Sequence, residues 1–221
     1  MTIPAHPDRK ALARIGASVR ERLAGETCVR RLPDERAEIY AIDDFLPALA
    51  RVHLMAAIDA VACPSSLIDG ADWPDYRTSF SGDLDAMDTC VQDLETRISI
   101  LTGIASACGE SAQGQRYQCG QYFREHCDWF DTGSRYWQRE RRCGGQRSWT
   151  AMVYLNAVDE GGLTDFPRME FSIPPRAGTL LLWNNAQPCG APNPWTLHAA
   201  RPVVRGVKYV VTKWFRARTW Q

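Results

Sequence analysis

Arg116-Tyr-Gln-Cys-Gly-Gln-Tyr-Phe-Arg-Glu-His-Cys-Asp128 is where the chain changes texture. Arg116 to Phe123 reads as a strand, and β-rich segments follow at Thr150–Val158, Thr179–Trp183 and Lys208–Phe215. Turn-forming clusters separate them: Glu160-Gly-Gly162, Pro174-Pro175 and Pro192-Asn-Pro194. Such a series of short strands predicts a sandwich, barrel or jelly roll. Upstream, the apolar spacing is helical. Leu12, Ile15, Val19 and Leu23 recur every three or four residues over Asp8–Leu23. Glu38–Asp43 alternates as a strand. Asp44 is expected to cap a helix to about Val61, with Phe45, Leu49, Val52, Met55 and Ile58 inward, ended by Cys63-Pro64. A third helix is expected over Asp83–Ile104, with Leu84, Met87, Val91, Leu94, Ile98 and Leu101 on one face and Gly103 near its end. Helices followed by strands make the class α+β.

The 221 residues, 45% apolar, suffice for one large core. An N-terminal helical appendage (1–35) is expected to precede one main domain (36–221), with helical support over about 44–104 and a β core over about 114–217. Lys and Arg number 26 and Asp and Glu 26, which removes the basic footprint of a nucleic-acid binder. No run has the length of a membrane span, and the start, Met1-Thr-Ile-Pro-Ala, has no apolar signal core, so a cytoplasmic location is expected. Eight cysteines without a C-x-x-C pair point to free thiols, many of them in the core, rather than to zinc or a disulfide framework.

Of four histidines, His6 falls in a frayed terminus and His53 beside a helix stripe, as an ordinary partly buried residue. His126 and Asp128 differ. In extended chain residues i and i+2 share a face, so an imidazole nitrogen and a carboxylate oxygen can meet at one point, with Cys127 turned away. His198 on a facing strand would complete two His and one carboxylate, the open-sided set of non-haem Fe(II) oxygenases. An H-x-D pair alone is common by chance. Ten residues on, Lys208 opens a strand-like run, where a lysine can anchor a dicarboxylate or simply reach solvent.

From about Tyr76 to Arg216 the sequence resembles the prolyl 4-hydroxylase group of Fe(II)/2-oxoglutarate dioxygenases. Carrying the resemblance are Arg77-Thr-Ser79, Tyr117-x-x-Gly-Gln-Tyr-Phe-x-x-His-Cys-Asp128, Gly144-Gly-Gln-Arg-Ser-Trp-Thr-Ala-Met-Val-Tyr-Leu-Asn156 and Glu160-Gly-Gly-Leu-Thr-Asp-Phe-Pro167. Leu181-Leu-Trp-Asn184, Leu197-His-Ala199, Pro202-Val-x-x-Gly-x-Lys208 and Lys213-Trp214 complete it. The resemblance implies a double-stranded β-helix (jelly roll) with supporting helices. It implies Fe(II) on His126, Asp128 and His198, and 2-oxoglutarate held through its distal carboxylate by Lys208 and Tyr117, with Thr164 a weaker candidate. O2 would be the second co-substrate and ascorbate a possible reductant.

The implied reaction hydroxylates a C–H bond of a prolyl residue, giving succinate and CO2. Arg147 and Trp214 match positions near the substrate. Phe123 replaces the family's usual tyrosine, and Glu125 a common proline before the first metal histidine. These departures keep a rival open, a hydroxylase of a free amino acid or a natural-product peptide intermediate. A non-catalytic jelly-roll binder is the alternative from another class, which the intact ligand set disfavours. The partner is expected to be a peptide, protein or amino acid, with no nucleic acid and no membrane. The arginine-rich stretch Asp131–Trp149 is expected to be irregular, in the place where relatives carry a substrate-covering loop. Trp183 and Trp195 are expected in the core, and Gly161-Gly162 in a turn rather than a phosphate cradle.

Overall fold

The computed structural model describes residues 7–32, 34–66 and 75–221; His6 lies outside them. An eight-stranded antiparallel sheet dominates, in the order 30–31, 39–42, 180–184, 147–154, 208–216, 113–117, 80–83 and 63–64. Facing it is a four-stranded sheet in the order 171–173, 164–166, 198–200 and 123–126. The two form the jelly roll, and its two faces are set by residue parity along the longest strand, Lys208–Arg216.

On the outer face, Val211 and Phe215 join Trp149, Val153, Leu180 and Leu182 in one core. Helices α1 (Arg9–Ala24), α2 (Ala48–Val61) and α3 (Thr89–Thr102) cover that face through Val19 and Leu23, Leu54 and Ile58, and Val91, Leu94 and Ile98. On the inner face, Val210 joins Tyr117, Met152, Tyr154, Phe166, Leu181 and Trp183 in a second core. A fourth short helix, α4, spans Trp137–Arg142.

Several expected elements are displaced, each for an identifiable reason. Asp44 does not cap α2: it takes a left-handed turn conformation (φ 51°), and Pro47 stands at the helix start. Phe45 and Leu46 are buried from the loop, whereas Leu49 and Val52 are 86% and 61% exposed. Leu49 precedes Ile58 by roughly two and a half helical turns, so the two lie on opposite faces, and the expected stripe had drifted around the helix. α3 begins late because Phe80–Asp83 is a strand paired with Gln113–Arg116, and Asp88 is its cap, accepting from the Cys90 and Val91 amides. Met87 is accordingly exposed. Gly103 ends α3 in the left-handed conformation (φ 71°), where a Cβ would be strained.

The expected strand Arg116–Phe123 is two strands. Gln113–Tyr117 belongs to the large sheet and Phe123–His126 to the small one, with a turn at Gly120 (φ 80°) between them. This crossing carries the chain from the floor of the barrel at Tyr117 to its mouth at His126. Asp131–Trp149 is not wholly irregular: α4 is pinned by buried Trp137 and by Glu140, which receives Arg216 at 2.5 Å. All eight cysteines are free thiols, but none is a fully buried core residue. His53 is exposed rather than partly buried; it binds the α3 cap Asp88 at 2.6 Å.

Candidate active site

Strand Phe123–His126 pairs with His198–Ala200 so that His126 and His198 are direct partners, and Asp128 follows two residues beyond the strand. One ligating atom from each of His126, Asp128 and His198 lies within 4.8 Å of the others. The expected meeting of residues i and i+2 with a distant histidine is thus realised.

Hydrogen bonds fix the donor atoms. His126 Nδ1 meets the Arg124 carbonyl at 2.8 Å and His198 Nδ1 meets the Thr196 carbonyl at 2.9 Å. A carbonyl accepts only, so both rings carry a proton on Nδ1 and leave Nε2 facing inward. Burial, then the neighbouring His198, drives the His126 pKa down, keeping that ring neutral. Burial opposes ionisation of Asp128, but His198, His126, Arg147 and the Thr150 hydroxyl together outweigh it and hold its pKa below the ordinary value. Thr150 Oγ1 donates to Asp128 Oδ2 at 2.6 Å and accepts from Asn185 Nδ2 at 2.9 Å. Two imidazole nitrogens and a braced carboxylate, with one side open, suit Fe(II).

Behind the triad lies a small inner cavity of about 40 Å³. Its floor is Lys208, 1% exposed, whose pKa is pushed down by burial to about 7. Among the described residues the one hydrogen bond of this ammonium is to Thr164 Oγ1 at 3.4 Å, and the Tyr117 and Tyr154 rings flank it at 5.4 and 5.5 Å. No carboxylate pairs with it among the described residues. A buried cation without a counter-charge costs stability, and an anion entering the cavity would supply that counter-charge. Tyr117 donates to Gln115 Oε1 at 2.8 Å and Tyr154 to Thr164 Oγ1 at 2.6 Å, a polar lining suited to a carboxylate. Arg201 and Arg205, other cations of this region, are each engaged by acids, Asp165 and Asp159.

An outer groove opens on the other side of the triad, bordered by Tyr76, Arg77, Glu110, Phe123, Arg147 and Trp214. Arg147 is locked in a bidentate pair with Glu110 (both contacts 2.7 Å) and lies 4.1 Å from the Trp214 ring. Phe123 stacks on His126 at 3.7 Å. Of the arginine-rich stretch only Tyr136 and Arg147 border the groove; Arg135, Arg139, Arg141 and Arg142 are exposed elsewhere. Trp195 stands apart under Arg36, whereas Trp183 lines the inner cavity against His198.

Every expected site residue therefore borders one of two adjoining spaces. Sequence reasoning had not assigned Thr150, Asn185, Tyr154, Gln115, Glu110 or Arg77. Parity from Lys208 across the paired strands could have placed Thr150 and Tyr154 inward; nothing local marks Asn185 or Glu110.

A jelly roll with an inward-facing His/Asp/His set above an anion pocket is the architecture of an iron- and 2-oxoacid-dependent oxygenase. The profile of the 2OG-Fe(II) oxygenase superfamily matches residues 112–216. Prolyl 4-hydroxylase 5 of Arabidopsis thaliana is 30% identical over 213 residues, covering 85% of this chain and 70% of that one. The match to probable prolyl 4-hydroxylase 8 of the same plant is 32% over 153 residues, 60% of this chain and about half (51%) of the relative. A viral collagen prolyl hydroxylase from Paramecium bursaria Chlorella virus-1, solved as its 2OG complex, superposes with a TM-score of 0.63 at 28% identity, covering 80% of this chain and 95% of that one. The chain belongs to the prolyl 4-hydroxylase-like 2OG-Fe(II) oxygenases.

Proposed function

We propose that this chain is an Fe(II)- and 2-oxoglutarate-dependent hydroxylase of prolyl residues in a peptide or protein. One observation carries the reading: a buried lysine without a carboxylate partner among the described residues stands behind two imidazoles and a carboxylate that converge on one point. His126, Asp128 and His198 would hold the iron, and Lys208, Thr164 and Tyr117 the distal carboxylate of 2-oxoglutarate. When bound, these groups supply the oxidising chemistry: O2 decarboxylates 2-oxoglutarate to succinate and CO2 while a substrate C–H bond becomes C–OH.

The chain's own residues position and exclude. The Arg124 and Thr196 carbonyls keep the Nδ1 protons in place, so both imidazoles present lone pairs without reorganisation. Thr150 and Asn185 hold the carboxylate in one orientation. Trp183, backed by Phe166, and Met152 wall the inner cavity and keep water from competing for Lys208. Arg147, fixed by Glu110, and Trp214 shape the substrate side.

Location and partners belong to the same proposal. Eight free thiols favour a reducing, cytoplasmic compartment, and balanced charge disfavours nucleic acid. Among the described residues no helix is long and apolar enough to cross a membrane. Ascorbate would serve as a reductant. We keep residues 1–35 as an N-terminal helical appendage to the main domain (36–221), whose helix α1 packs on the outer core through Val19 and Leu23. Hydroxylation of a free amino acid or natural-product peptide is the second reading, favoured by Phe123, which lacks the hydroxyl of its counterparts.

The test is anaerobic addition of Fe(II) and then 2-oxoglutarate, followed by O2 with proline-containing peptides and amino acids. A charge-transfer band, succinate release and a product heavier by one oxygen are expected. No band and no succinate would overturn the proposal.

A further inference from the structure

Three cations border the two spaces around the triad: Lys208 in the inner cavity, and Arg77 and Arg147 in the outer groove. Arg147 is neutralised by Glu110. Elsewhere, too, buried cations meet acids: Lys213 meets Glu95 at 2.6 Å and Arg216 meets Glu140 at 2.5 Å. Arg77 does not. Its Nε donates to Ser79 Oγ at 3.1 Å and its Nη2 to Gln113 Oε1 at 3.0 Å, and its guanidinium lies 4.8 Å from the Phe123 ring centroid. All three contacts are with neutral groups. Asp83, opposite Gln113 in the strand ladder and also on the groove, makes no ion pair with Arg77.

The arrangement repeats the logic of Lys208 on the opposite side of the triad. A partly desolvated cation is hydrogen-bonded by neutral neighbours, and no carboxylate among the described residues pairs with it, Asp128 acting on it only at longer range. Ser79 and Gln113 fix the guanidinium plane while using two of its five N–H donors. The rest form the planar fork that matches a carboxylate. Phe123 links this fork to the metal site, since its ring contacts both the Arg77 guanidinium and His126. A hydroxyl on Phe123 would offer a competing polar partner; the bare ring leaves Arg77 as the groove's free polar anchor.

We propose that Arg77 binds a carboxylate of the substrate beside the residue to be hydroxylated. This deepens, and rests on, the hydroxylase reading above. The carboxylate has two sources, the α-carboxylate of a free or C-terminal amino acid, or an acidic side chain next to the target.

Binding can be measured without turnover, by calorimetry on the protein loaded with Zn(II) and 2-oxoglutarate. One probe pair is N-acetyl-L-proline against N-acetyl-L-prolinamide. The second is acetyl-prolyl-aspartyl amide against its asparaginyl counterpart. The wild type should favour the carboxylate member of one pair by about tenfold or more, the weight of a charge-assisted hydrogen-bonded contact. The pair that shows the preference identifies the source. Arg77→Gln should abolish the preference while 2-oxoglutarate affinity stays within about twofold, and Arg77→Lys should restore part of it. Absence of a preference in both pairs, including failure of every probe to bind, would overturn the inference, as would its persistence in Arg77→Gln. Failure of the parent reading looks different: 2-oxoglutarate itself would not bind the wild type.

Discussion

Lys208 and Lys213 stand five residues apart on one strand, and both are buried. The odd spacing sends them to opposite faces of the large sheet. Lys213 points toward the helices and meets Glu95 of α3 at 2.6 Å. Lys208 points into the barrel and, among the described residues, meets only a threonine hydroxyl and two aromatic rings. The outer face has answered its charge from within the fold, as a structural region must. The inner face has left its charge open, and the most economical account is a ligand that completes it. One strand thus carries both a charge paired within the fold and a charge that, on the proposed function, waits for a ligand.

That contrast can be broken most forcefully at the triad on the inner side. Asp128→Ala removes the carboxylate and should reduce turnover by at least about three orders of magnitude, consistent with loss of a metal ligand. Circular dichroism should show the fold retained, and metal analysis should show weakened Fe(II) binding. Hydroxylation at the wild-type rate would mean that the triad is misassigned.

The pH dependence sharpens the contrast. Burial brings the Lys208 pKa down to about 7, against 10.5 in the unfolded chain. Between those values the folded protein binds fewer protons at this site than the unfolded one, so the site's contribution to stability rises with pH. Capture of a carboxylate needs the protonated form, so 2-oxoglutarate affinity should fall above pH 7, by up to about tenfold per unit. Lys208→Arg should flatten that fall whatever its absolute affinity. A wild-type affinity that is constant from pH 7 to 9 would contradict the assignment.

On the outer side, Lys213→Met should leave 2-oxoglutarate binding unchanged and cost stability, because it leaves Glu95 without its partner. The loss should be roughly 1.5–3 kcal/mol by denaturant titration. A shift in 2-oxoglutarate affinity comparable to that of a Lys208 variant would erase the distinction between the faces.

Phe123→Tyr carries the smallest expected effect. On the prolyl reading, the added hydroxyl should keep or improve turnover of a proline peptide, with a gain of up to roughly 0.5–1.5 kcal/mol in transition-state binding. A clear loss would mean that the hydroxyl is buried without a partner against an apolar substrate surface, favouring the other substrate class.

The inner region was largely legible in the sequence, and the reason is periodicity. His126 and Asp128 share a face by the two-residue repeat, and the Lys208 strand alternates cleanly. The helical cover was legible in outline only. Leu49 and Val52 fit an apolar spacing, but Pro47 sets the helix start, and the buried stripe runs instead through Leu54 and Ile58. Phe80–Asp83 was hidden because its Phe-Ser-Gly-Asp sequence owes its strand state to pairing with Gln113–Arg116. The outer groove was the least legible region. Glu110, Arg77 and Arg147 come together from distant segments, and no local pattern announces which arginine finds an acid.

The most direct test of the unanswered inner charge is an anaerobic titration of the Fe(II)-loaded protein with 2-oxoglutarate, run at pH 7 on the wild type and on Lys208→Met. Loss of a charged contact in a desolvated pocket is worth roughly 2–5 kcal/mol. The account predicts that Lys208→Met binds 2-oxoglutarate about thirtyfold more weakly or worse, with Fe(II) affinity unchanged. Unchanged 2-oxoglutarate affinity in Lys208→Met would contradict it.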